Sequence, residues 1–258
     1  MPELVEIEAY RRLADRAVGR KIKHVDAPDD WFIKDDSTQR SFNRALKGKQ
    51  ITGTRRIGKL LLVDTDGPVV GMRFGMTGRL TVDGIEGVDE LIYSSKRKDP
   101  KWDRFAITFT DGTRMSINDP RRLGGVSLDP DESRLGPDAS TVGLKDFRGV
   151  LQSDASVKAR LMNQEKLAGV GNLIADETLW RAGINPRRVA RSLDANEQKR
   201  LHTHLLKALL DLDARGGSHT GDVIAHRIVG GSCPKDGASL TKATVGGRTT
   251  WWCPKHQV

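Results

Sequence analysis

Pro2 is the residue of this chain with the most unusual chemical prospect, because removal of Met1 turns its ring nitrogen into a secondary amine. Such a terminal amine has a pKa near 8, so a useful fraction is neutral and nucleophilic at cellular pH, whereas every internal proline nitrogen is an inert amide. The plain alternative is a proline that merely opens a helix. Glu3 and Glu6 follow at the head of the first helical pattern and supply carboxylates one turn apart. Four further places pair polar groups with unusual backbone. Lys59 follows Gly58 at the mouth of an apolar strand, where it is either a solvated end or a buried cation. Met76 lies between glycines in Arg73–Gly78, where an exposed methionine can wedge into a base stack and a buried one fills a gap. Asp119-Pro120-Arg121-Arg122-Leu123-Gly124-Gly125 sets two guanidiniums beside an apolar side chain on a turn. Lastly, Leu167–Asn172 joins two helices through Gly169 and Gly171. Such a turn suits either close packing or close approach of backbone to a phosphate, with Asn172 placed to cap the next helix.

The elements that must position these groups change character along the chain. Leu4, Ile7, Tyr10, Leu13, Ala14 and Val18 recur on one helical face, and Gly19 is the expected terminator. Up to about Leu128 come short apolar runs: Lys59–Val63, Val69–Met72, Gly78–Val82, Arg104–Thr110 and Arg114–Ile117. Asp66-Gly67, Asp83-Gly84 and Asp111-Gly112 separate several of them, and Asp-Gly between such segments signals hairpins. Residues 129–136 read as a linker. Helical patterns then cover Leu144–Leu151, Val157–Gln164, Asn172–Ala182 and Ala195–Ala214, and a glycine-rich tail ends in a hairpin about Gly246-Gly247. The expected class is α+β and multidomain. A helix-led antiparallel β-sandwich over 1–128 is followed by a helical domain over 137–215 and a C-terminal hairpin over 216–258.

Composition narrows the function. Of 258 residues 37% are hydrophobic and 30% charged, as in an ordinary folded protein. Basic residues outnumber acidic ones 24 to 19 through residue 128 and 19 to 15 beyond, giving a net +9 spread over both halves. A basic surface shared by two lobes suits a polyanion between them. Two cysteines exclude a secreted disulfide framework. No stretch has the length of a membrane span and no secretory h-region opens the chain, so a cytoplasmic protein with no membrane partner is expected.

Taken in order, Met1-Pro2-Glu3-Leu4 with Glu6, Gly58-Lys59, Gly75–Gly78, Asp119–Gly124, Ala168–Asn172 running on through Ala175-Asp176-Glu177, and Gly246–Thr249 resemble the formamidopyrimidine-DNA glycosylase / endonuclease eight (Fpg/Nei) family of repair enzymes. The resemblance spans nearly the whole chain. It implies a glycosylase with lyase activity on oxidised bases and abasic sites of double-stranded DNA, working as a monomer. Pro2 would attack C1′ and form an iminium, and covalent attachment then allows cleavage by successive β and δ eliminations. Glu3 would move protons, Glu6 would orient the site, and Lys59 would pair with phosphate or carboxylate while helping to keep the amine neutral. Met76, Arg121 and Leu123 match the side chains that fill the void of a flipped base. Lys158 and Asn172, in a helix–two-turn–helix domain, and Arg248, in the C-terminal hairpin, match phosphate-contacting positions.

Several departures accompany the resemblance. Leu123 stands where phenylalanine is common, and Val5 where proline is usual. The family's four-cysteine finger becomes Cys233, Asp236, Cys253 and His256 with sixteen residues between the pairs. All four types bind zinc at this spacing, so one zinc with an atypical ligand set is expected, the alternative being a metal-free hairpin packed on Trp251 and Trp252. Only eight residues, Ser218–Ala225, separate Gly216-Gly217 from His226-Arg227. That is too short for the loop that caps 8-oxoguanine in the formamidopyrimidine branch, so other lesions are expected to be preferred. Two rival readings are a silent damage-binding protein on the same scaffold and a helical RNA-binding module. The first has no need of a terminal amine, and the second leaves residues 1–128 unexplained.

Overall fold

The computed structural model describes residues 2–34, 36–92 and 99–258. The chain divides into two compact units. The first holds Pro2 and Glu6–Glu132, the second Glu3–Val5 and Ser133–Val258. The division falls within the stretch read as a linker, and the C-terminal hairpin belongs to the same unit as the helices.

In the first unit, helix α1 (Leu4–Ala14) precedes β1 (Ile22–Asp26), α2 (Gln39–Leu46) and β2 to β9. One antiparallel sheet has the order β1-β7-β8-β5-β6, with β5 Arg79–Val82, β6 Ile85–Glu86, β7 Asp103–Phe109 and β8 Arg114–Asn118. The other has the order β2-β3-β4-β9, with β2 Ile51–Ile57, β3 Leu60–Thr65, β4 Val70–Arg73 and β9 Gly125–Leu128. The two form the expected sandwich. Leu61, Val63, Val70 and Met72 from one sheet and Phe105, Ile107, Met115 and Ile117 from the other share a single buried core with Ile7, Tyr10 and Leu13 of α1. Phe105 meets Phe42 of α2 edge-on at 5.7 Å. Truncating such a ring to alanine costs about 3–5 kcal/mol.

Turn chemistry sets the hairpins. Asp83 and Gly84 both adopt positive φ, at 54° and 78°, as a two-residue turn between twisted strands requires. α1 is shorter than the pattern suggests. After Ala14 the chain tightens into a 3₁₀ turn (Asp15–Ala17), and Val18 is extended and exposed rather than part of the apolar face. Leu4 and Val5 pack in the second unit's core. The short helix α2 lies outside the sequence expectation. Thr38 and Ser41 form its capping box, a signal readable in the chain.

The second unit comprises α3 (Leu144–Val150), α4 (Val157–Leu161), α5 (Asn172–Ala182), α6 (Ala195–Ala214) and the hairpin β10 (Thr241–Val245) and β11 (Arg248–Trp252). Its core gathers Phe147, Leu161, Ile174, Leu179, Leu201 and Leu205, among others. Asp194 and Glu197 cap α6 reciprocally, and Gly183 ends α5 at φ 65°. α4 stops at Leu161, short of the expected Gln164. Two of the N–H groups that open α5, those of Leu173 and Ile174, gain a partner from elsewhere in the chain, described below. β10 and β11 turn through Gly246 and Gly247, both at positive φ. A Cβ on Gly246 would lie 2.8 Å from that of Ala159, so the hairpin tip sits directly on α4.

Candidate active site and metal centre

Pro2 is buried, in the stretch just before α1. Met1, whose removal would free its amine, lies outside the described residues. Glu3 is 1% exposed and caps a helix far along the chain: its Oε1 accepts from the Leu173 N–H at 2.9 Å and its Oε2 from the Ile174 N–H at 3.1 Å. A helix N-terminus favours an anion there, and two amide donors fix both carboxylate oxygens. Asn172 is the first residue of α5 and does not cap it; the cap is Glu3. The two glycines of the preceding turn serve the same contact. A Cβ on Gly171 would lie 2.2 Å from Glu3 Cδ. One on Gly169, at φ 113°, would lie 2.4 Å from Leu4 Cδ1, and the Leu4 N–H donates to the Gly169 carbonyl at 3.1 Å. Of the two uses open to the Gly-x-Gly turn, the structure shows close packing, against the N-terminal segment.

Glu6, also buried, faces the first unit. One turn on, the Tyr10 ring lies 4.6 Å from Phe74 and its hydroxyl donates to the Gly78 carbonyl at 3.1 Å. Burial raises the Tyr10 pKa well above its usual value, Arg79 opposes the rise and Glu6 adds to it. Lys59 does not open a strand. It is the second residue of the β2–β3 turn, half-buried, behind Gly58 at φ 55°.

The loops bearing Met76, Arg121 and Leu123 are held by one carboxylate. Asp119 is fully buried and accepts from Thr77 Oγ1 at 2.5 Å, from the Gly124 N–H at 2.8 Å and from the Arg121 N–H at 3.2 Å. Gly75, at φ 56°, comes so close that a Cβ would lie 2.4 Å from the Leu123 carbonyl carbon. The two loops are therefore one body, and it presents Leu123 at 50% exposure with Arg121 exposed and Met76 half-buried. Of the two guanidiniums, Arg122 is taken up by Asp29 at 2.6 Å to both oxygens, which holds the Asp29 carboxyl below its usual range. Arg121 has no acidic partner among the described residues. Neither the anchoring role of Asp119 nor that of the Tyr10 hydroxyl follows from local pattern, although an aspartate before Pro-Arg-Arg is a ready turn-former.

Lys158, which the resemblance places at a phosphate-contacting position, is fully buried. Its Nζ lies 2.6 Å from Asp176 Oδ1 and donates to Thr250 Oγ1 at 2.7 Å. Arg227 Nε lies 3.0 Å from the other Asp176 oxygen. These contacts to Asp176 are ion pairs by distance, without the alignment of good hydrogen bonds. Burial pushes the Lys158 pKa down and that of Asp176 up, each opposed by the other's charge. The Thr249 carbonyl accepts from Asn172 Nδ2 at 3.2 Å and Arg227 Nη2 at 3.3 Å. Lys158, Asn172 and Arg227 thus all hold the start of β11, where Arg248 stands exposed.

Cys233, Asp236, Cys253 and His256 converge, each offering one ligand atom, with these atoms all within 4.8 Å of one another. Cys233 Sγ lies 3.6 Å from His256 Nδ1, Cys253 Sγ 3.4 Å from Asp236 Oδ2, and His256 Nδ1 3.2 Å from Asp236 Oδ2. Metal bonds of 2.0–2.3 Å in a tetrahedron separate ligand atoms by about 3.3–3.8 Å, close to these spacings. The outer contacts suit a metal as well. His256 Nε2 donates to the Trp180 carbonyl at 3.2 Å, which directs the Nδ1 lone pair into the cluster, and the Trp180 indole N–H donates to Cys233 Sγ at 3.3 Å. Burial raises the Cys253 thiol pKa, while Asp236, bonded first by the Ala238 N–H, drops to about 2. The cluster can bind a metal.

The fold and these sites together define a protein built from a sandwich unit and a helix–two-turn–helix unit with a metal-ribbon tail. Residues 1–126 match the formamidopyrimidine-DNA glycosylase N-terminal domain and residues 135–221 its H2TH domain. The formamidopyrimidine-DNA glycosylase of Bacillus subtilis is 30% identical over 285 residues, covering all of this chain and 99% of that one. That of Arabidopsis thaliana is 31% identical over 276 residues, covering all of this chain and 71% of the plant protein. Among solved structures, a complex of Lactococcus lactis Fpg with DNA containing an abasic site superposes with a TM-score of 0.84 at 25% identity over the whole of both chains. MutM bound to DNA with carbocyclic 8-oxo-G gives 0.83 at 26% identity over 99% of each. The chain belongs to the Fpg/Nei family of DNA glycosylases. Among the described residues no helix is long and apolar enough to cross a membrane.

Proposed function

We propose that the protein is a base-excision-repair DNA glycosylase with AP lyase activity, whose nucleophile is the Pro2 amine exposed by loss of Met1. The observation that carries this reading is the buried Glu3 carboxylate, peptide-bonded to Pro2 and fixed by two backbone N–H groups of α5. Pro2 attacks C1′ as the damaged base departs with a proton, C1′–O4′ then opens with a proton delivered to O4′, and the resulting iminium acidifies C2′ for β and then δ elimination. Glu3 exchanges protons at the sugar, Glu6 orients the site, and Lys59 carries a cation to the lesion phosphate. Met76, Arg121 and Leu123 fill the space left by the flipped nucleotide in duplex DNA, offsetting part of an unstacking cost of a few kcal/mol. Asn172 and Arg248 grip phosphate, with Lys158 beneath them as the buried brace of β11. One zinc on Cys233, Asp236, Cys253 and His256 holds the hairpin that presents Arg248. In this reading residues 1–128 bear the nucleophile and the wedge, 137–215 and 216–258 bind phosphate, and the protein acts as a cytoplasmic monomer.

Substrate choice follows the tail. Glu177 is buried and accepts from the N–H groups of Asp222 and Val223, both at 3.0 Å, and Gly221 lies against it. The short segment after Gly217 is therefore tied down on α5 rather than free to cover a base. Abasic sites, oxidised pyrimidines and ring-opened or hydantoin lesions are processed better than 8-oxoguanine. Borohydride trapping on abasic-site DNA tests the proposal: the wild type is expected to be captured and Pro2→Gly to lose capture. DNA binding without any trapping would instead establish a silent damage-binding protein.

A further inference from the structure

Just ahead of α2, a 3₁₀ turn (Asp30–Phe32) presents Trp31 at 66% exposure, the one aromatic among the large apolar side chains that the described residues leave exposed. The segment around it is fastened, residue by residue, to the turn that carries the wedge. Arg122 holds Asp29 through both oxygens at 2.6 Å, and Arg104, 3.6 Å from Asp29, donates to the Asp119 carbonyl at 3.0 Å. Phe32 is fully buried, and a Cβ on Gly124 would lie 3.1 Å from its Cζ. A Cβ on Gly125 would lie 2.4 Å from Lys34 Cγ, Ile33 bridges to Val126, and the Lys34 N–H donates to the Val126 carbonyl at 2.8 Å. Trp31 therefore stands between two residues, Asp29 and Phe32, that touch the two neighbours of Leu123. One rigid body thus carries two exposed apolar side chains on adjoining turns, Trp31 and the 50% exposed Leu123.

Lys34 Nζ lies 4.7 Å from the Trp31 ring centroid and donates to the Trp31 carbonyl at 2.6 Å, which sets a cation beside the aromatic face. Such rings stack on bases opened from a duplex, and cations beside them meet the backbone charge. The local charge agrees. Asp29 is spent on Arg122, whereas Arg121, exposed on the wedge turn, has no acidic partner among the described residues. Asp30, exposed next to the ring, repels phosphate and so turns the ring toward a sugar or base edge.

We propose that Trp31 is a further DNA contact of this protein, its ring packing on the sugar and base edge of the duplex beside the gap that Leu123 enters, with the Lys34 cation behind it. The inference rests on the wedge role given above to Met76, Arg121 and Leu123.

The probe is a dye-labelled duplex carrying a tetrahydrofuran abasic analogue, which has no C1′ leaving group and is bound without being cleaved. By anisotropy, Trp31→Ala is expected to bind about tenfold more weakly than wild type, within the range carried by one stacked base. Trp31→Phe keeps an aromatic face and binds more tightly than Trp31→Ala. The Trp31 share of the emission, taken as the difference between wild type and Trp31→Phe, is expected to be quenched as unlabelled duplex is added. That readout uses only the conservative variant, so it stands even where Trp31→Ala loses stability. Unaltered affinity in Trp31→Ala, or a Trp31 emission indifferent to DNA, overturns the proposal. Borohydride trapping scores the lyase reading separately. A wild type that traps abasic-site DNA while Trp31→Ala binds unchanged refutes the Trp31 contact alone. A wild type that shows the Trp31 effects and traps nothing refutes the lyase reading alone.

Discussion

The two ends of the chain hold their chemistry by opposite means. At the N-terminus, Glu3 is fixed by amide donors at 2.9 and 3.1 Å and by glycines that leave no room for any side chain. At the C-terminus, four ligand residues meet through contacts of 3.2–3.6 Å among thiols, an imidazole and a carboxylate, groups that bind one another weakly and a metal strongly. The first site is complete in the backbone; the second has a donor set that a metal ion would complete. Two perturbations should therefore have distinct signatures: crowding disables the first, and chelation disables the second.

The largest effect is expected from Gly171→Ala. The added methyl meets the Glu3 carboxyl carbon at 2.2 Å and must expel it from the α5 cap. Trapping on abasic-site DNA should fall by roughly 100-fold or more, since misplacing a reacting group by about 1 Å costs that much, and overpacking should cost about 1–3 kcal/mol in thermal or denaturant melts. Undiminished trapping in Gly171→Ala would erase the contrast between the two ends.

Next is the metal. Chelation should release about one zinc per chain, lower the melting temperature and weaken DNA binding through Arg248, while leaving the first unit's core intact. Trp180→Phe keeps the ring and deletes the N–H that donates to Cys233 Sγ. Loss of such an outer contact typically costs 10–100-fold in metal affinity, readable by competition with a chromogenic chelator. Active protein that contains no metal in elemental analysis would favour the hairpin packed on Trp251 and Trp252 alone.

Legibility in the sequence follows the same division. α5 and α6 begin and end where their patterns do, and α6 carries its own capping box and α5 its terminal glycine. The hairpins at Asp83-Gly84 and Gly246-Gly247 were legible because a two-residue turn demands positive φ locally. The cap of α5 was not legible, because Glu3 precedes the donating Leu173 N–H by 170 residues and no local rule joins them. The burial of Lys158 was not legible either, because only the fold brings Asp176, Thr250 and Arg227 around it. The candidate metal ligands were legible by spacing, while Trp180, which contacts two of them, lies on α5, where no local spacing joins it to them.

A smaller effect is expected within the wedge loops. Thr77→Val removes the hydroxyl donor to the buried Asp119 and leaves a carboxylate oxygen short of one partner, at about 1–3 kcal/mol. With the loops loosened, base opening, followed by a fluorescent base analogue at the lesion, should slow more than cleavage of an abasic site that is already unstacked. Equal slowing of both would give Asp119 a general structural role only.

The smallest effect is electrostatic. The Asp29 pKa lies below its unfolded value of 3.8 because Arg122 donates to it, so its contribution is present above pH 3.8 and is lost as pH falls below that value through the folded pKa. Wild type and Asp29→Asn should differ in melting temperature at pH 6 and converge in acid. The partners are partly exposed, so the difference is small and shrinks with salt.

The measurement that most directly tests the central claim is peptide mapping of the borohydride-reduced protein–DNA adduct by mass spectrometry. The account predicts that the sugar remnant is carried on the N-terminal peptide, at the nitrogen of Pro2, in protein that has lost Met1. A remnant on Lys59 or any other lysine, or efficient trapping in protein that retains Met1, would contradict it.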